Sequence, residues 1–208
     1  AESYIGSSAF YGALLDRRAG TINPMGYCRG LARVAIAAGA LISVGARAKK
    51  LLQESALWRV ITNKGTLMAR HVVLGTNAYT DDLWPGLKYS FTKINYFQLA
   101  TNPLGDRIKH ILPQQQGLWD TGKIMFSLRR DDAERLIIGS MGNVMGNRSG
   151  GVSHRWAQKK LARLFPELGW VGFDEAWQGQ IAMTLDHLPH IHKLADNLYS
   201  PIGYNGRG

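Results

Sequence analysis

The stretch His71–Thr80 reads HVVLGTNAYT, and the fold turns on how it is read. Its first half, HVVLG, is a short continuous apolar run of the kind a strand carries when both of its faces are buried. Its second half opens with Gly75, Thr76 and Asn77, small and polar. Open α/β sheets bind their ligands beyond the carboxyl ends of their strands, so this exit is a candidate binding loop. A plain strand exit is the competing reading.

Upstream, NPMGYCRGLARVAIAAGA (23–40) carries helix punctuation: Asn23 caps, Pro24 takes the first helical position, and Gly39 marks the exit. Tyr27, Leu31, Val34, Ala35 and Ala38 fall on one apolar stripe, the pattern of a packing face. ALISVGA (40–46) reads as a strand, and LWRVIT, NKG and TLMAR (57–70) read as strand, turn and strand. AFYGALLDRRAGTIN (9–23) reads as an extended hairpin ahead of the helix. Helix, strand, hairpin and buried strand in this order have the texture of an α/β nucleotide-binding domain.

Downstream of Pro85 the texture is β-rich and aromatic, in YSFTKINYFQLAT, GKIMFSLRR, ERLIIGSM and EAWQGQIAMTLDHLP. One amphipathic helix interrupts it, SHRWAQKKLARLFPEL, with Trp156, Leu161, Leu164 and Phe165 on its apolar side and Pro166 at its end. Strands with a lone helix predict an antiparallel or mixed sheet covered on one face. NLYSPIGYNGRG closes as a strand leading into a glycine turn.

The 208 residues are 45% hydrophobic and 19% charged, a globular composition able to bury a core. No apolar run approaches the roughly 20 residues that span a bilayer, and no secretory signal is visible. Cys28 is the single cysteine, which excludes an internal disulfide and suits a reducing, cytoplasmic setting. The formal charge is +10. Its basic residues come mostly singly or in pairs, with no nucleic-acid-binding motif among them, so small anionic ligands, or acidic parts of the protein outside this chain, are the favoured use of the charge.

Four further stretches bear on chemistry. GYNGRG (203–208) has glycines that bring backbone N–H groups close to a phosphate or a flat ring, although an ordinary glycine turn reads the same way. FSLRRDDAERLIIGS places Arg129 beside Arg130 on a strand, one guanidinium fork inward toward a carboxylate and one outward to water; two solvated arginines are the plainer alternative. DHLPHIH (186–192) crowds His187, His190 and His192 beside Asp186, but lacks converging ligands at metal-site spacing, so no metal is expected. GSMGNVMGNRSGG (139–151) lacks a Gly-Lys-Ser/Thr ending, is not a P-loop, and reads as a mobile loop.

The ordered series YGALLDRRAGTINP, GLARVAIAAGA, TNKGTLMARHVVLGTNAYT, QLATNPL, RLIIGS, LARLFPEL, AWQGQIAMTLDHLP and GYNGRG resembles the FAD-dependent D-amino-acid oxidase-like superfamily. Within it, the bacterial gamma-glutamylputrescine oxidase-like branch is the nearest likeness. The resemblance implies an α/β (α+β) chain, part of a Rossmann-like FAD domain interleaved with a large mixed or antiparallel β-sheet substrate domain that roofs the flavin. It divides the chain into a substrate-domain hairpin (1–20), FAD domain (21–82), substrate domain (83–195) and a return to the FAD domain (196–208). It implies oxidation of a C–N bond in an amine or amino acid, with hydride passed to flavin and the imine then hydrolysed.

By the same resemblance, Arg129 anchors a substrate carboxylate. Gly203, Tyr204, Asn205 and Gly206 match the flavin-facing turn. Gly75, Thr76 and Asn77 match the nucleotide-side strand exit, and Trp177 and Gly179 a strand passing near the cofactor, where a buried core tryptophan is the equal alternative. Cys28 does not match a covalent attachment point, so FAD is expected to be non-covalent. No Gly-x-Gly-x-x-Gly occurs in the chain, which is therefore expected to be the middle of a longer flavoprotein, inactive and without useful FAD affinity by itself. A small-molecule substrate is implied; nucleic acid and membrane are not, and oligomerisation stays open. A non-catalytic α/β module binding anionic partners through its basic surface is the alternative function.

Overall fold

A computed structural model describes residues 1–145 and 150–206. The tip of the glycine-rich 139–151 stretch and the last two residues of GYNGRG lie outside them. The chain is a mixed α/β protein with three sheets. It forms two interleaved compact units: Ala1–Ala32 with Asn95–Gly179, and Arg33–Ile94 with Gln180–Gly208. Where the expected boundaries stand at 20, 82 and 195, this division falls after residues 32, 94 and 179; Trp84, Leu87 and Phe91, just past the expected 82, pack into the core of the second unit.

The first unit is built on the five-stranded sheet β6-β7-β8-β5-β9. Its strands are β5 (Thr92–Thr101), β6 (Leu118–Trp119), β7 (Phe126–Arg130), β8 (Leu136–Met141) and β9 (Phe173–Met183), of which β5 and β9 run on into the second unit. Strand alternation sends Phe97 and Leu99, Phe126 and Leu128, and Leu136 and Ile138 to one face, where all are buried. The helix Val152–Leu164 covers that face with Ala157, Leu161 and Leu164, and the Trp156 ring meets Phe97 edge-on at 5.5 Å. Pro166 begins a 3-10 turn directly beyond it, as the sequence predicts.

The hairpin expected in residues 1–20 is not formed. A short helix α1 (Glu2–Ile5) seats Ile5 in the core, and its exit, Gly6, has φ +77 and stands where a Cβ would lie 2.4 Å from the His110 carbonyl oxygen. From Tyr11 to Gly20 the chain is exposed throughout. Asp16 accepts from the Arg18 backbone and guanidinium, closing a local turn with no ladder on either side, and Tyr11 and Leu14 are fully exposed. An apolar stretch makes a strand only where another strand satisfies its backbone groups.

The second unit holds two three-stranded sheets, β1-β2-β3 and β10-β11-β4. The strand expected at ALISVGA starts later, as β1 (Ala48–Glu54), which pairs antiparallel with β2 (Leu57–Thr62); β2 pairs with β3 (Gly65–Ala69). Residues 40–46 form a loop pinned by Lys64 Nζ to the Val44 carbonyl (2.8 Å) and Asn63 Nδ2 to that of Gly45 (3.0 Å). The tight β1–β2 turn, with Ser55 at φ 55, sets the register and outweighs local hydrophobicity.

Two burial expectations are corrected. In HVVLG, β4 (Val72–Val73) is an edge strand parallel to β11 (Leu198–Ile202), so Leu74 is buried while Val73 is 64% exposed. Helix α2 (Pro24–Ala37) is capped as predicted, Asn23 Oδ1 accepting from Gly26 N at 2.9 Å, but it buries no residue. Its apolar stripe is a packing face without a covering element among the described residues.

In DHLPHIH, His190 and His192 on β10 (His190–Ala195) share a strand face with their rings stacked at 5.9 Å. His190 Nε2 lies 3.1 Å from Asp186 Oδ1. That contact, with the Leu188 backbone N–H, lowers the Asp186 pKa from 3.8 to about 2. A depressed carboxylate adds stability above its unfolded pKa and loses it as the pH falls toward the folded one. Asp186→Asn is therefore expected to lower the urea midpoint at neutral pH, with the gap to wild type closing between pH 4 and 2. A gap that stays constant with pH contradicts this. Among the described residues no group of three or more metal-ligating side chains forms.

Candidate functional site

Two stretches more than a hundred residues apart meet in the second unit. The strand exit after β4 turns through Asn77, which holds φ 43, a conformation asparagine tolerates better than most residues. Its Oδ1 accepts from the backbone N–H of Gly203 at 3.0 Å. Gly203 (φ +80), Asn205 (φ 55) and Gly206 (φ +71) form the left-handed turn that follows β11. The two segments line a cleft of about 400 Å³ with Asn77, Gln180, Ile181, Tyr204 and Gly206.

Asn205 works behind the turn. Its side chain is buried: Oδ1 accepts from Thr184 N at 2.9 Å, and Nδ2 donates to Thr184 Oγ1 at 3.1 Å and to the Gly203 carbonyl. Thr184 Oγ1 in turn donates to the Leu188 carbonyl at 2.8 Å. This network holds the loop before Leu188 and the glycine turn as one piece. Thr76 Oγ1 pairs with Thr80 Oγ1 at 2.7 Å, closing the 3-10 turn that presents Asn77, while Gly75 is exposed with nothing within 4 Å of where a Cβ would stand.

The cleft suits a flat, largely neutral ring. None of its five lining residues is charged, and at Gly206 a Cβ would fill the cleft to within 3.2 Å of Ile181 Cδ1. The chain's own residues thus fit the isoalloxazine end of a flavin.

A second cleft, about 430 Å³, lies within the first unit, lined by Arg129, Arg130, Arg135, Asp131 and Asp132 with residues 21–24, Gln115, Ala133 and Ile137. The two adjacent arginines differ in a way their sequence does not reveal. Arg130, expected to face water, is half-buried and donates through Nη1 to the carbonyls of Lys109 (3.3 Å) and Ile111 (3.2 Å). Arg135 is committed to Asp131, Nε to Oδ2 at 2.8 Å. Arg129 makes no hydrogen bond or ion pair with a described residue, and burial pulls its pKa down against the weaker pull of Asp131. It is the cation available to a ligand there.

Trp177 lies on β9 in the first unit, 43% exposed. Of the residues singled out in the sequence, the structure thus brings together Asn77, Gly203, Tyr204, Asn205 and Gly206, and sets Arg129 in a cleft of its own. Gln180 and Ile181 escaped sequence reading, although they occupy the quoted segment AWQGQIAMTLDHLP; the signal was their place two residues beyond Gln178 and Gly179 on one strand. Thr184 escaped it because its role is a contact with Asn205, distant in sequence.

A mixed α/β chain with a glycine turn and a strand exit closing on a neutral cleft defines a cofactor-dependent α/β protein. Its fold is shared with glycine oxidase from Geobacillus kaustophilus (TM-score 0.64, 18% identity, 85% of this chain and 47% of that one). It is also shared with L-proline dehydrogenase from P. horikoshii (TM-score 0.68, 19% identity, 89% and 51%). Residues 2–208 match the FAD dependent oxidoreductase family, and the chain belongs to it. Curated relatives include a probable oxidoreductase, OrdL, of Haemophilus influenzae (26% identical, 100% of this chain and 48% of the relative). The gamma-glutamylputrescine oxidoreductase of Escherichia coli K12 is 28% identical over 98% of this chain and 48% of its own length. The chain spans about half the length of the curated relatives it matches.

Proposed function

We propose that this chain supplies the substrate-binding part and one flavin contact of an FAD-dependent oxidoreductase that oxidises a C–N bond of an amine or amino acid. The observation that carries the reading is the bond from Gly203 N–H to Asn77 Oδ1, which joins the strand exit and the glycine turn over a neutral cleft. When bound, FAD supplies the hydride acceptor for that oxidation.

The chain's own residues bind and orient. Tyr204, Gly206, Asn77 and Ile181 hold the ring, with Asn205 fixing the turn behind them. Arg129 takes the substrate carboxylate, and its planar fork sets the orientation as well as the affinity. Cys28, exposed on α2, does not line the cleft, in keeping with non-covalent FAD. Gly75, Thr76 and Trp177 contribute to the cofactor's surroundings in this reading.

The test is anaerobic mixing of the intact protein with a panel of amines and amino acids. Bleaching of the visible flavin absorbance, with a carbonyl product and released amine or ammonia in equal amounts, is expected. Reduction only by substrates that lack a C–N bond to oxidise would overturn the reading.

A further inference from the structure

The cleft of about 430 Å³ in the first unit is lined by three arginines and two aspartates, and the fold uses some of these charges and leaves others free. Arg130 is spent on the carbonyls of Lys109 and Ile111. Asp131 accepts through Oδ1 from the backbone N–H groups of Ala133 and Arg135, both at 3.0 Å, and through Oδ2 from Arg135 Nε at 2.8 Å. Those bonds close the turn between β7 and β8 and engage Arg135. Arg129 and Asp132 remain, and neither makes a hydrogen bond or ion pair with a described residue.

An unpaired cation and an unpaired carboxylate in one cleft would ordinarily find each other. Here the turn keeps them apart. Arg129 lies on β7 and Asp132 is exposed in the turn beyond it. The carboxylate that acts on Arg129 is that of Asp131, which stands between them in the chain and is already bonded. Three residues of chain span at most about 10 Å, so two opposite charges line one small volume at a separation a small ligand can bridge.

With a carboxylate on Arg129, Asp132 discriminates between ligands by their remaining charge. A ligand with a carboxylate alone brings an anion toward Asp132 and is repelled; one with an ammonium group as well gains an attraction. The amine that is oxidised is not that ammonium. It must reach the flavin neutral, with its lone pair free, whereas a neighbouring carboxylate favours the protonated form. The nitrogen that Asp132 holds is therefore a second one, which keeps its proton throughout.

We propose that Asp132 is a specificity residue that holds a second, non-reacting ammonium group of the substrate. The site then takes amines that bear both a carboxylate and a further cation in preference to simple carboxylated amines. The inference rests on the carboxylate role given to Arg129 above.

The test uses the intact flavin-loaded protein, kept anaerobic, with calorimetric binding of three probes. These are lysine, ε-aminocaproate, which lacks only the α-ammonium of lysine, and cadaverine, which lacks only its carboxylate. Wild type is expected to bind lysine about fivefold more tightly than ε-aminocaproate, the scale of a partly exposed ion pair. Asp132→Asn should erase that preference and leave ε-aminocaproate bound no more weakly, while Asp132→Glu should keep part of it. Added salt should shrink the preference in wild type. Wild type without the preference, or Asp132→Asn that retains it, overturns the proposal; so does a loss of thermal midpoint in Asp132→Asn with all three probes weakened together. In each case a loss of ε-aminocaproate but not cadaverine binding in Arg129→Leu leaves the Arg129 reading intact. Arg129→Leu that binds lysine as wild type does overturns both.

Discussion

Gly203→Val is expected to be among the most damaging single changes in the chain, lowering stability by about 2–6 kcal/mol. Two costs combine. Gly203 holds φ +80, where a β-branched residue is strained by roughly 1–3 kcal/mol. A Cβ would also stand 2.4 Å from Thr184 Cγ2, and overpacking of this kind costs about 1–3 kcal/mol. Thr184 cannot retreat cheaply, because Asn205 and the Leu188 carbonyl hold it from two sides. The measurement is a urea or guanidinium midpoint on the intact protein, with flavin retained through purification as a second readout. A variant with the wild-type midpoint and full flavin content contradicts this account of the turn.

Arg129→Leu in the intact enzyme should lower kcat/KM for a carboxylated amine by roughly 30- to 5,000-fold, the equivalent of about 2–5 kcal/mol for truncating one partner of a desolvated charge pair. Leucine keeps much of the aliphatic stem's packing, so the loss reports on the guanidinium. Arg129→Lys keeps the charge but not the planar fork and should fall between the two. The substitution should leave amines without a carboxylate nearly unaffected, which distinguishes a lost anchor from a distorted cleft. Because Arg130 ties down the 109–111 segment, Arg130→Leu should instead lower stability with no such substrate dependence. Equal losses on both classes of amine would remove Arg129 from the site.

The stretches NPMGYCRG, SHRWAQKKLARLFPEL and NLYSPIGYNG were legible because their signals are local: a cap, a proline, a glycine, an apolar period. Asn23 caps α2, Pro166 ends the covering helix, and β11 runs into a left-handed turn, as reading alone predicted. The same local signals failed where a partner decides. AFYGALL is apolar and turn-flanked but has no strand beside it; ALISVGA is apolar, yet the β1–β2 turn sets the register elsewhere; Val73 sits in an apolar run but on an edge strand.

The sequence by itself determined the mixed α/β class and the order of the segments, and pointed to Asn77, Tyr204, Gly206 and Arg129 among the residues of the two clefts. Only the tertiary structure decided which residues meet. Asn77 finds Gly203, Asn205 turns inward to Thr184, and Arg130 is spent on two carbonyls while Arg129 is not. The physical reason is that a side chain's role depends on which hydrogen-bond partners and which neighbouring atoms reach it. Those partners lie tens to more than a hundred residues away along the chain, beyond the span of any local pattern.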